Sequence, residues 1–512
     1  MARFLRDDRF HRLSGFAVHA IMVHLIEPNT MRITTRITKR IKAVFLPVAS
    51  LLIAINLGLS CAHAAGLPAT VVDALKRGAI PQDAVATYVQ EVSGPVPRIA
   101  INSTTGFNPA STMKLVTSDA ALEILGPAFT WKTQVYATGT QNGDVLNGDL
   151  VIKGSGDPKL VTEKFWQFLR QIRAAGIREI RGNLILDRSV FEDTSYDASH
   201  FDGDPLKPYN AGPDALLLNY KALAFHFLPD ASRRVVNVSV DPPLAAYPIT
   251  APVFSDGPCA DWQAKLQPVL DRNGTRFSGT FPAACGEKTW YLHPSQMTHA
   301  EYFGLVFRQL WADGGGVFKG SIIDGVLPPE ARFITEWQSP ALPEVVRDIN
   351  KYSNNVMARQ LLLTLASDVP KVPATSARGA SVIKTWLTAK GIDASQLVIE
   401  NGSGLSRTER ISAETMGRML VAAFQSPVMP ELISALPLVG FDGTMRKRLL
   451  MQTVAGRAHI KTGSLNDVRA IAGYVLAASG KRYVVVCIIN HINAPGGQAA
   501  HDALLQWIYE NG

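Results

Sequence analysis

The spacing of apolar and polar residues divides the chain into helical stretches at either end and a strand-rich middle. Thr70 to Arg77 predicts a short helix, and Ala84 to Val92 and Arg98 to Asn102 predict strands. Asn108-Pro109 then opens a helix running to about Leu125. Asn108 suits the cap, Pro109 the first turn, and Leu115, Ala121, Leu122 and Leu125 form one apolar face before Gly126-Pro127 stops it. From Phe129 the texture changes to short strands separated by Pro and Gly clusters. Trp131 to Thr138 and Leu146 to Lys153 predict two strands joined at an Asn142-Gly143 turn. Leu184 to Asp187, Arg234 to Val240 and Thr289 to Leu292 predict further strands, interrupted by helices over Glu163 to Ala175 and Ala300 to Asp313.

Helical periodicity returns over Val345 to Ala366, Ser376 to Lys390 and Ser412 to Phe424. The chain closes with three strands, Ala458 to Thr462, Arg469 to Leu476 and Arg482 to Asn490, and an amphipathic helix from Gln498 to Glu510. Antiparallel strands packed by a terminal helix make an α+β arrangement. The mixed material in the middle has the size of one large domain or two small ones.

Composition excludes little but directs attention to the start of the chain. With 47% hydrophobic and 18% charged residues over 512 positions, the chain has enough apolar material for two or more cores and is not disordered. The net charge of +8 suggests a polyanion partner only at first sight, because several positives sit in a segment expected to be removed as a leader. No nucleic-acid partner is expected, and the remaining bias suits an anionic cell-wall surface. After Met31, Arg32, Arg36, Lys39, Arg40 and Lys42 precede an apolar run from Ala43 to Ser60, and Ala62-His63-Ala64 supplies the small residues of a cleavage site. That is the three-part pattern of a secretory signal over 31–64, which predicts a periplasmic protein with at most peripheral membrane contact. An uncleaved anchor and a lipoprotein at Cys61 are the alternatives; Gly58 stands where the latter usually has Leu. Residues 1–30 lack this organisation and are treated as an upstream extension.

Cleavage leaves Cys259, Cys285 and Cys487. The first two are candidates for a disulfide in an oxidising compartment, whereas Cys487 lies in the buried-strand pattern Tyr483 to Ile489 and reads as a free core thiol. No Cys/His cluster has zinc spacing, so neither a metal nor a cofactor is expected.

Three short motifs follow one another: Ser111-Thr-Met-Lys114, Ser353-Asn-Asn355 and Lys461-Thr-Gly463. Each alone is weak. Ser381 and Lys384 repeat the first spacing, and Ser464-Leu-Asn466 mimics the second. Context separates them, since Ser111 sits in a Pro-initiated helical turn where three-residue spacing stacks it beside Lys114. A serine hydroxyl needs a neighbouring base, and a lysine buried beside a second ammonium, Lys461, favours its neutral form. The free N–H of Ser111 suits a developing oxyanion. Ser353 suits a proton relay to the leaving amine, Asn355 the substrate amide, and Lys461 with Thr462 a C-terminal carboxylate.

The set matches the Ser-x-x-Lys, Ser-x-Asn and Lys-Thr-Gly pattern of penicillin-binding proteins and serine β-lactamases. With Asn108 to Lys114, Gly154-Ser-Gly-Asp-Pro158, Asn401 to Arg407, Asp442-Gly-Thr444 and His459 to Ser464, the chain resembles the class C low-molecular-mass penicillin-binding proteins, the D-alanyl-D-alanine carboxypeptidase/endopeptidase family. The resemblance implies a penicillin-recognising catalytic domain, its antiparallel sheet flanked by helices, split into 65–130 and 335–512 by a β-rich insertion over 131–334. It implies action on peptidoglycan stem peptides and covalent inhibition by β-lactams, with the Ser464 N–H completing the oxyanion hole beyond Gly463. It also places Arg407, Asp204 and Tyr209 near the stem, where an acid suits a diaminopimelate ammonium; a solvated loop is the competing reading for these three.

Two other functions fit parts of the pattern. A β-lactamase shares the acylation machinery, but the class A enzymes deacylate through a Glu-activated water, and no Glu-x-x-x-Asn segment lies between Asn355 and Lys461. A catalytically silent wall-binding protein would not need all three motifs intact.

Overall fold

Tyr483 to Ile489 is apolar at every position because its strand is covered on both faces. Val484, Val486 and Ile488 point into one core cluster, and Val485, Cys487 and Ile489 into another. The strand Arg482–Asn490 is the middle of a five-stranded antiparallel sheet. Val85–Glu91 and then Ile99–Ile101 lie on one side of it; Val468–Leu476 and then Ala458–Leu465 lie on the other. One face packs on the terminal helices Ala69–Arg77 and Gln498–Asn511 through Val71, Leu75, Leu504, Leu505 and Ile508. The other packs on helices Met113–Leu125, Leu342–Lys351, Asn355–Leu365, Ser376–Ala389 and Ala413–Gln425. This α+β architecture, sheets flanked by helices, is seen in a computed structural model that describes residues 66–192, 196–367 and 372–512. The expected leader lies outside those residues. Among them, no helix is long and apolar enough to cross a membrane.

Between these helices the chain builds smaller sheets. One has the order Ile322–Asp324, Leu184–Asp187, Leu150–Lys153, Lys132–Ala137 and Arg332–Gln338, and a second joins Val235–Asp241, Leu223–Asp230 and Lys288–Leu292. Their core is aromatic. Phe227 meets Phe277, Phe281 and Trp262 at ring-centre separations of 4.9, 5.4 and 5.6 Å. Cys259 and Cys285 are joined by a disulfide, and Cys487 is free and buried.

Several expectations need correction. Asn142-Gly143 does turn a hairpin, but only the short strands Thr140–Asn142 and Val145–Asn147 flank it. Trp131 to Thr138 is found as Lys132–Ala137, but the expected strand Leu146 to Lys153 breaks at Gly148, where a Cβ would lie 2.0 Å from the Thr138 carbonyl oxygen. The helix after Asn108 starts as a 3-10 turn, Ala110–Thr112, and becomes α-helical at Met113; every residue from Met113 to Leu122 is buried, so it has no single apolar face. Lys461-Thr-Gly463 lies inside its strand, not at its end. The continuous helix expected over Val345 to Ala366 is two helices broken at Tyr352-Ser353-Asn354. Ser353 is left-handed at φ 57° and the Asn354 side chain caps the second helix by accepting from Met357 N–H at 3.1 Å.

Candidate active site

The turn that carries Ser111 is pinned from three directions. Asn108 Oδ1 accepts from Ala110 N–H at 2.9 Å, Asn108 Nδ2 donates to the Ser406 carbonyl at 2.9 Å, and Asn490 exchanges hydrogen bonds with the Asn108 backbone at 2.8 and 3.0 Å. Two glycines let other segments come close. A Cβ on Gly404 (φ 77°) would lie 1.9 Å from the Ala110 carbonyl oxygen, and one on Gly463 would lie 3.0 Å from Ser111 N.

One helical turn onward, fully buried Lys114 reaches back. Its Nζ lies 3.0 Å from Ser111 Oγ and 2.6 Å from Asn355 Oδ1, and it donates to the Ser403 carbonyl. Asn355 Oδ1 and the Ser403 carbonyl only accept. They therefore occupy the two N–H groups of a neutral amine and turn its lone pair towards Ser111 Oγ. Burial pushes the Lys114 ammonium well below its ordinary range, Lys461 and Arg359 push the same way, and Glu409 opposes them.

The helix break places Ser353 opposite this pair. Lys461, also fully buried, donates from Nζ to Ser353 Oγ at 2.9 Å and to the Thr462 carbonyl at 2.7 Å. Burial brings Lys461 down to about 7. Thr462 Oγ1 donates to Thr444 Oγ1 at 2.8 Å, which accounts for the Asp442-Gly-Thr444 segment beside this strand.

A cleft of about 660 Å³ opens above these groups, lined by Ser111, Ser353, Asn355 and Ser464 on one side and by Tyr209 and Arg407 on another. That volume falls within the ordinary range of ligand clefts. Arg407 stacks its guanidinium 4.6 Å above the Phe201 ring and lies 3.3 Å from Asp467. Asp204 does not line the cleft. Its carboxylate is turned back on its own segment, accepting from Leu206 N–H at 3.2 Å and lying 3.7 Å from Lys207 Nζ. Asp202, two residues earlier across the left-handed Gly203, lines the cleft instead. Tyr209 hydroxyl and Asn210 Nδ2 donate to Asp202 at 2.8 and 2.7 Å; against the effect of burial, these bonds hold its carboxyl below the usual range. Burial and Asp202 together push the Tyr209 hydroxyl up to about 12.

Sequence reasoning missed Asp202, Glu409 and Arg359. Arg359 sits one turn after Asn355 and donates to the carbonyls of Tyr209 and Ala211 at 3.0 and 2.8 Å, tying this wall of the cleft to the Asn355 helix. The i, i+4 spacing from Asn355 to a cation inside a largely apolar helix was the available signal. Among the described residues no cluster of His, Cys, Asp and Glu could hold a metal ion.

Known proteins resemble this chain in sequence and in fold. The chain is 27% identical over 398 residues, 76% of its length and 81% of the relative's, to the D-alanyl-D-alanine carboxypeptidase DacB of Haemophilus influenzae. It is 28% identical over 424 residues, 77% and 76% of the two lengths, to a D-alanyl-D-alanine carboxypeptidase of an Actinomadura species. The crystal structure of penicillin binding protein 4 from Haemophilus influenzae superposes with a TM-score of 0.73 at 23% identity, covering 86% of this chain and 99% of that one. The model of the D-Ala-D-Ala carboxypeptidase 3 (S13) family matches residues 67–511, and the chain belongs to that family.

Proposed function

We propose that the protein is a serine-type D-alanyl-D-alanine carboxypeptidase of the bacterial cell wall, able to act also as an endopeptidase on cross-linked stems. The observation that carries this is the 3.0 Å approach of Lys114 Nζ to Ser111 Oγ, with the two N–H groups of the neutral amine already committed elsewhere. Lys114 takes the Ser111 proton as the oxygen attacks the carbonyl of the penultimate D-alanine. The N–H groups of Ser111 and Ser464 receive the oxyanion. Ser353, hydrogen-bonded to Lys461, passes a proton to the departing amine, and the terminal D-alanine leaves. Water then attacks the ester and frees the shortened stem. Lys461 and Thr462 hold the terminal carboxylate, and Asn355 Nδ2 is left free for the substrate amide.

Asp202 takes the part first assigned to Asp204: a carboxylate beside Tyr209 and Arg407 suits the side-chain ammonium of the stem's diamino acid. Work on such a substrate suits a periplasmic protein, and a Cys259–Cys285 disulfide suits an oxidising compartment. β-Lactams acylate Ser111 by the same attack; a relative's crystal structure holds a β-lactam complex.

Release of free D-alanine from a pentapeptide stem, together with labelling by a fluorescent penicillin, tests the assignment. Both are expected in the wild-type protein and neither in Ser111→Ala. Labelling that survives in the variant would overturn it.

A further inference from the structure

A buried carboxylate behind the nucleophile has no part in the chemistry described so far. Glu409 is 0% exposed and lies four residues past the turn Asn401–Leu405. Its Oε1 accepts from three successive backbone N–H groups, those of Glu400, Asn401 and Gly402, at 3.1, 2.9 and 2.8 Å. Burial pushes this carboxyl above its usual range, while the three converging N–H groups and the nearby Lys114 act the other way and favour the charged form. Its Oε2 is buried and has no hydrogen-bond partner.

The turn so held touches the reaction centre in two places. Its Ser403 carbonyl accepts from Lys114 Nζ, and its Gly404 backbone presses on Ala110 and Ser111. Thr117 Oγ1, on the same helix as Lys114, donates to the Gly402 carbonyl at 2.7 Å. The charges that face Lys114 come from three elements: Lys461 on its strand, Arg359 on the Asn355 helix, and Glu409 after the turn. Two of these are cations that favour loss of the lysine's proton, and the third is an anion that favours keeping it. A base whose proton affinity falls too far accepts a proton from serine poorly.

We propose that Glu409 is a positioning residue for acylation: its carboxylate holds the Asn401–Leu405 turn against the Ser111–Lys114 pair and balances the two cations that face Lys114. The inference rests on Lys114 being the base for Ser111. Glu409 acts through the Ser403 carbonyl and through its charge, without touching substrate.

The test is the pH profile of kcat/KM for acylation by a fluorescent penicillin. In Glu409→Gln the side-chain carbonyl still accepts from the turn, but the charge is gone. The acid limb is expected to move down by about one pH unit and the plateau to fall about tenfold. Glu409→Asp keeps the charge, and its limb is expected to stay where the wild-type limb lies, even if the shorter side chain slows the reaction. The limb's midpoint does not scale with the amount of folded protein, so partial misfolding of a variant does not obscure it. An unmoved limb in Glu409→Gln, or equal shifts in Gln and Asp, overturns the proposal. Lys114→Met separates the two levels. If it abolishes labelling while Glu409→Gln leaves the limb in place, Glu409 is structural only and the base assignment stands. If Lys114→Met keeps a wild-type profile, the base assignment falls and the role of Glu409 with it.

Discussion

Lys114 and Phe227 are both fully buried, yet their surroundings are built from opposite materials. Around Lys114 lie Lys461, Arg359 and Glu409, each no more than 3% exposed, together with Asn355 and the carbonyl of Ser403. Around Phe227 lie Phe277, Phe281, Phe225 and Trp262, with a disulfide nearby in sequence. Burying an ionisable group costs free energy that hydrogen bonds only partly offset, whereas burying an aromatic ring is favourable in itself. The first region sacrifices stability for proton affinities set away from their ordinary values; the second holds the chain together. The difference teaches that activity and stability are separable here by mutation.

The sharpest break between them is Lys461→Met. It is expected to lower kcat on the order of 10²–10⁴-fold while leaving the thermal midpoint unchanged or raised, because a buried amine gives way to an apolar chain of similar length. Stopped-flow acylation and thermal unfolding on one preparation check both halves. Phe227→Ala should do the reverse. A loss of about 3–5 kcal/mol in unfolding free energy is expected, with the acylation rate of the folded fraction held within about twofold. A large rate loss without destabilisation would erase the distinction.

The pH dependence sharpens it further. Lys461 carries its charge below about 7 in the free enzyme, so kcat/KM for a substrate ending in a carboxylate should fall about tenfold per pH unit above that value. An amide-ended analogue, which needs no cation, should lack this alkaline limb. Asp202→Asn is the smallest effect. For stems with a side-chain ammonium we expect a loss of roughly twofold to fivefold in kcat/KM, as for a solvent-exposed ion pair, and none once that amine is acetylated.

How much was legible in the sequence follows the same divide. Arg482 to Asn490 could be bounded to the residue because a strand covered on both faces has no polar interruption. The motif serines and lysines were found by spacing, and the structure brings Ser111, Lys114, Ser353, Asn355 and Lys461 together. The break between Leu342–Lys351 and Asn355–Leu365 was not legible, since Val345, Val346 and Ile349 before it and Leu361 and Leu362 after it continue one apolar rhythm. Only the left-handed Ser353 marks it, and no residue type announces that conformation as glycine does. Leu223–Asp230 was missed because Pro229 and Asp230 end it in turn-like residues. Asp202 and Asp204 flank one glycine, and periodicity does not tell which of them faces the cleft. Glu409 lies among polar residues that resemble a solvated loop, and its burial is a tertiary fact.

One pairing described above bears on how the protein is made. Val85–Glu91 sits inside the large sheet only by bonding to Arg482–Asn490, nearly four hundred positions later. A chain emerging amino end first cannot finish that sheet until almost all of it has been synthesised. Until then the first strand lacks the neighbour that holds it in the sheet, so this long-range pairing is among the last contacts the chain can form.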